Sequence, residues 1–200
     1  MDCKEVIERS YTLVKTLLAP LKDKGYYFHN WEHTKEVFEN AQFYATKLRL
    51  SYSDTCKLLL AALFHDVGFL VVYNGHEEVS AQIAKEFLKG QVPSDWIKQI
   101  MNMIRATKIG VEPQNLLEAA LKDSDVDNIR REDFLQKADL LKKELETLFN
   151  MKFTPQEWLK RLEDVLEIGK CYTWVCEDLK KEGLKNNASL IKLLKKANKN

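Results

Sequence analysis

Apolar residues recur at helical spacing through almost every long segment of this chain, and only 7 Gly and 4 Pro interrupt them in 200 residues. A 3.6-residue period lays one apolar face along a helix rather than along a strand, and so few breakers leave little room for hairpin turns. The pattern predicts an all-α fold. Helices are expected at about 2–21, 31–49, 53–65, 76–89, 94–107, 113–126, 131–149, 155–170 and 172–196. Asn30 before Trp31, Ser53 before Asp54, Ser94 before Asp95 and Thr154 before Pro155 read as starts, because a short polar side chain takes up the free N–H groups of a first turn. Gly25, Gly68, Gly90 and Gly110 each follow a periodic segment and read as left-handed stops.

The length suits one domain over residues 1–200 with a substantial core. With 31 basic against 30 acidic side chains, the net charge of +1 provides no field for a polyanion, which argues against nucleic-acid polymers and membrane surfaces as partners. The Lys-rich 180–200 segment carries Leu184, Leu190, Ile191, Leu193 and Leu194 at helical spacing, so it reads as an amphipathic terminal helix. Met1-Asp2-Cys3-Lys4-Glu5 lacks the basic flank of a signal peptide, and no run reaches the ~18 apolar residues of a membrane span. Cys3, Cys56, Cys171 and Cys176 form no C-x-x-C pair. They read as reduced thiols of a cytoplasmic protein.

One apolar run ends against expectation. Leu58 to Phe64 is followed by His65-Asp66, and unpaired polar groups in an apolar interior are costly. A shared metal ion is one partner that would satisfy both. Two other inward stripes end in the same way: Val37, Ala41, Tyr44 and Leu48 extend back one turn to His33, and Leu117 and Leu121 lead to Asp125. Two histidines and two carboxylates suit a divalent ion, and this mix does not choose among Mn, Fe, Co, Ni, Zn and Mg.

The order His33, His65-Asp66, Asp125 resembles the H…HD…D signature of the HD-domain metal-dependent phosphohydrolases. The residues around it strengthen the match. Tyr27-Phe28-His29-Asn30-Trp31-Glu32-His33-Thr34 is similar to the family's Y-H-N-x-x-H-T/A segment, and Ala61-Ala62-Leu63-Phe64-His65-Asp66-Val67-Gly68 to A-A-L-F-H-D-I-G. Gly75-His76-Glu77-Glu78-Val79-Ser80-Ala81 resembles the G-H-E-E-x-S-A segment of a small-protein branch, and Asp123-Ser124-Asp125 its D-A-D. The resemblance covers about residues 25–135, which would form the HD core, with C-terminal helices over about 136–200. It implies a helical bundle with the metal between its central helices.

The resemblance also implies roles. His33, His65, Asp66 and Asp125 would hold one divalent metal, with a second, weaker site allowed; Asp125 takes the place of the second carboxylate of D-A-D. Asp123 would orient a ligand or cap the helix end. Asp66, His29 and His76 would serve the chemistry, one of the histidines protonating the leaving oxygen. The expected substrate is a small phosphate ester, a nucleotide in the favoured case, with mono- and diester both open. Arg105, Thr107 and Lys108 are candidates for gripping its phosphate, followed by Lys122, Arg130 and Arg131. The alarmone-hydrolase pair after His-Asp is missing, because Phe69-Leu70-Val71 fills that loop, and no Gly-Tyr-Pro follows His76. Two other readings stay open: a metal- and nucleotide-binding regulatory module without turnover, and a helical interaction protein with hydrogen-bonded core histidines. Diiron oxygenase chemistry needs more ligands than the sequence offers.

Overall fold

The computed structural model describes residues 2–197, and of Ile168 the backbone only; Met1 and 198–200, the end of the expected C-terminal region, lie outside the described residues. All regular structure within that range is helical, without a strand. The α-helices are α1 (Cys3–Leu18), α2 (Trp31–Lys47), α3 (Tyr52–Phe64), α4 (His76–Leu88) and α5 (Ser94–Ala106), followed by α6 (Leu116–Asp125), α7 (Phe134–Phe149), α8 (Pro155–Ile168), α9 (Trp174–Leu179) and α10 (Lys181–Ala197). Short 3-10 turns occupy Ala19–Lys24, Val67–Leu70 and Val126–Arg130. No helix among the described residues is long and apolar enough to cross a membrane.

Helix α3 runs through the middle of the core, with every residue from Cys56 to Phe64 buried. Continuous burial explains its lack of a polar face: α1, α2, α4, α5 and α6 all pack on it or on one another. A second apolar cluster gathers Phe134, Leu145, Trp158, Leu162 and Ile191 from α7, α8 and α10 around Ile129.

Local chemistry moved several expected boundaries. Ser51, not Ser53, caps α3 by accepting from Asp54 N. Ser94 is the first residue of α5 rather than its cap, which is Pro93. Asn115 sets the start of α6 by accepting from Leu117 N and Glu118 N. Extended backbone at Arg131 after the 3-10 turn delays α7 to Phe134. The expected helix 172–196 breaks at Lys180, whose ammonium reaches Asp127 at 3.4 Å. Beyond the break, α10 presses Gly183 so close to the Arg130 carbonyl that a Cβ would lie 1.8 Å from its oxygen.

Gly25, Gly90 and Gly110 are left-handed as expected, but Gly68 is not. Its role is close approach: a Cβ there would meet the His76 carbonyl oxygen at 2.1 Å. The buried residues of α4 are correspondingly small at Ser80, Ala81 and Ala84 and end in Leu88, with Val79, Ile83 and Phe87 only half-buried. The cysteines also depart from the reduced-thiol expectation, pairing as Cys3–Cys56 and Cys171–Cys176. Cα separations of 6.3 and 5.3 Å put both pairs within bonding reach, although their distance in sequence gave no motif.

Candidate metal centre

Three helix ends converge on one point. His33 sits in the first turn of α2, after the Asn30 cap whose side chain accepts from Glu32 N at 2.9 Å. His65 caps the C-terminus of α3, Asp66 follows it, and Asp125 closes α6. Two of these ends are C-termini, where the backbone carbonyls favour a cation. His33 Nε2 lies 3.0 Å from Asp125 Oδ1 and 3.5 Å from Asp66 Oδ2. His65 Nε2 lies 3.4 and 3.2 Å from the same two oxygens. One donor atom from each of His33, His65 and Asp66 falls within 4.8 Å of the others, and all three residues are buried.

The protonation pattern tests whether a metal fits. His65 Nδ1 donates to the Ala62 carbonyl at 2.8 Å, which in the neutral ring turns the Nε2 lone pair toward Asp66 and Asp125. A lone pair facing two carboxylates is unsatisfied, and His65 Nε2 and Asp66 Oδ2 are indeed buried without a hydrogen-bond partner. Such atoms call for a cation between them. Burial lowers the His65 pKa, but the two carboxylates outweigh it and raise it well above the ordinary value. Burial raises the pKa values of Asp66 and Asp125, and the neighbouring histidines outweigh it and hold both below the carboxylate range. The cluster is thus ionised on its acidic side and seeks a positive charge, which a proton or a divalent ion can provide.

The HD domain sequence profile matches residues 30–130, just over half of the chain. The chain belongs to the HD-domain family. HD domains bind divalent metals and are generally metal-dependent hydrolases, and the cluster just described suits such an ion. The fold is similar to the crystal structure of the Lin1889 protein from Listeria innocua, with a TM-score of 0.71, 20% identity and coverage of 100% of this chain and 98% of that one. At that identity the likeness is one of fold. No curated protein matches the chain.

In this HD domain His29 and His76 flank the cluster on the same side. Packing of α4 through Gly68 brings His76 Nε2 to 3.3 Å from Asp66 Oδ1, while its Nδ1 donates to the Tyr73 carbonyl. Its ring stacks on Phe69 at 3.8 Å between centroids. His29 rests on Phe69 at 4.4 Å, and its centroid is 6.0 Å from that of His33. What holds His29 was not visible in the sequence. Glu144, fully buried on α7, accepts from His29 Nδ1 at 2.5 Å and from the His29 and Phe28 backbone N–H groups, and Tyr73 OH donates to the same carboxylate. Burial raises the Glu144 pKa, and these donors outweigh it and hold it below its ordinary value. Its only sequence signal is that it sits beside Leu141 and Leu145 on the inward face of α7.

Of the residues expected to grip phosphate, Arg105 and Thr107 are engaged elsewhere. Arg105 forks onto Glu78 at 2.6 and 2.9 Å, and Thr107 donates to the Ile104 carbonyl of its own helix. Lys108 is exposed. Among the described residues none of the three shares a hydrogen bond or ion pair with the His/Asp cluster. Lys122 gives its three ammonium protons to the carbonyls of Ala106, Lys108 and Val111. Arg130 donates to the Val126, Gly169 and Lys170 carbonyls, and Arg131 pairs with Asp133 and Glu36. Asp123 points away from the centre. It accepts from Tyr172 N, Thr173 N and Thr173 Oγ1, which fixes the chain just before α9.

Proposed function

We propose that this HD domain hydrolyses a phosphate ester of a small molecule, a nucleotide in the favoured case, with His33, His65, Asp66 and Asp125 holding one divalent ion. The observation that carries the reading is the pair of buried, unpartnered atoms His65 Nε2 and Asp66 Oδ2, 3.2 Å apart. A divalent ion bound there supplies Lewis acidity, lowering the pKa of water and drawing charge from a phosphoryl oxygen.

The residues of the chain supply the rest. Asp66 or Asp125 accepts a proton from the attacking water, whose oxygen bonds to phosphorus as the bond to the leaving oxygen breaks. His29 gives that oxygen its proton. Its Nδ1–H is committed to Glu144, so Nε2 is the atom that exchanges protons. Phe28 and Phe69, packed against the His29 ring, keep bulk water from that face. His76 holds Asp66 Oδ1 in place, and a second, weaker ion between them is compatible with this geometry.

A metal-supplemented screen of nucleotides and simple phosphoesters, with His65→Ala as the blank, tests the reading. Comparing p-nitrophenyl phosphate with its bis ester assigns the ester class. Phosphate release that persists in His65→Ala, or that no added ion supports in the wild type, would remove it.

A further inference from the structure

A cavity of about 340 Å³ lies between the α5–α6 loop, the α6–Val126 junction and the α8–α9 segment, and the chemistry above leaves it without a role. Thr107, Lys122, Val126, Ile129 and Tyr172 line it, and Val126 directly follows Asp125. Building on the phosphohydrolase reading, we propose that this cavity receives the uncharged aromatic part of the substrate, a flat ring of nucleobase type. The phosphate then stays with the His/Asp cluster.

Size and lining support that division. The volume falls within the range of roughly 300–1,000 Å³ typical of small-molecule pockets, and the walls are mainly apolar, from Val126, Ile129 and the Tyr172 ring. The cations at the cavity cannot serve an anion. Lys122 is saturated by three carbonyls at 2.8 Å each, and Lys170 is paired with Glu112 at 2.8 Å. With no positive charge to spare, the cavity suits the neutral portion of an ester rather than its phosphate.

The mouth points to a ring with polar edges. Glu112 and Lys170 stand at it as an ion pair at 2.8 Å, and the second carboxylate oxygen and the remaining ammonium N–H groups offer an acceptor and a donor. The lip between α5 and α6 turns at left-handed Gly110 and leaves Ile109 78% exposed. Closing that side chain over an aromatic face is favoured by removal of apolar surface from water. Tyr172 is a fixed wall, its backbone N–H bonded to Asp123 and its ring within 5.7 Å of Lys122 Nζ and 5.2 Å of Lys170 Nζ.

Calorimetric titration of the full chain with adenosine, uridine and p-nitrophenol, with ribose as the ring-free control, tests the cavity without needing turnover. Saturable binding of the aromatic probes but not of ribose is expected, with Kd raised at least tenfold by Val126→Trp, which fills the space, and by Ile109→Asp at the lip. Ile109 is exposed, so that variant keeps the fold if Val126→Trp does not. Preference for nucleosides over p-nitrophenol would identify the ring as a nucleobase, and equal binding would identify it as any aromatic group. Absence of saturable binding, or binding unchanged in both variants, would overturn the proposal. Nucleoside binding without phosphate release from any ester would instead remove the hydrolase reading and leave the cavity standing. Ester hydrolysis without nucleoside binding would do the reverse.

Discussion

Glu144 accepts the ring proton of His29 at 2.5 Å across 115 residues of sequence, which fixes the orientation of the one histidine at the centre that bonds neither Asp66 nor Asp125. If His29 protonates the leaving oxygen, His29→Asn and Glu144→Gln should slow esters with poor leaving groups far more than p-nitrophenyl esters. Loss of a general acid costs about 10²–10⁴-fold, and the stable p-nitrophenolate hardly needs one. Rates for alkyl and p-nitrophenyl phosphates in each variant measure this. Equal losses on both would assign His29 to positioning alone.

The same carboxylate should shape acid stability. Its folded pKa is depressed below 4.5, so its contribution is fully present above the unfolded value and is lost as pH falls through the folded one. Denaturant unfolding between pH 6 and 3 should therefore show a steeper acid decline in the wild type than in Glu144→Gln. Parallel curves would contradict the burial and bonding assigned to this group.

Gly68 should tolerate no side chain. Its missing Cβ leaves room for the His76 carbonyl, and its own N–H bonds Ser80 Oγ at 2.8 Å. Gly68→Ala should cost about 1–3 kcal/mol through overpacking and weaken metal binding by displacing His76 from Asp66. Melting temperature and metal affinity read the two effects; an unchanged protein would contradict the close approach.

The two carboxylates of Asp123-Ser124-Asp125 should behave oppositely. Asp123→Ala removes the acceptor of three donors, two of them buried, at a cost of about 1–3 kcal/mol, and should lower the melting temperature while metal uptake survives. Asp125→Ala should abolish uptake in a chain that keeps its helical spectrum. Thermal melts and metal analysis on both variants decide it.

How far the sequence carried these conclusions follows from what each feature depends on. Helix identity and the convergence of His33, His65, Asp66 and Asp125 were legible because a periodic apolar stripe fixes which way its last residue points. Glu144 was not, since a carboxylate amid Lys142, Lys143 and Glu146 reads as a solvated face until tertiary packing buries it. Gly68 carried a recognisable residue with the wrong reason attached, because close approach and a left-handed turn both select glycine. Arg105 and Lys122 were misleading for a related cause: their partners, Glu78 and the carbonyls of Ala106, Lys108 and Val111, are tertiary neighbours that no spacing announces. The break at Lys180 and the Cys3–Cys56 pair likewise depend on contacts between distant segments.

The central claim is that the unpartnered atoms of His65 and Asp66 hold an ion that hydrolysis requires. Metal analysis of untagged protein, run beside phosphate release for the wild type and Asp66→Ala, tests it most directly. The account predicts about one tightly held divalent ion per chain, with ion and activity lost together in a variant that keeps its helical spectrum. A wild type that takes up no ion even after soaking, or an Asp66→Ala protein that still releases phosphate, would contradict it.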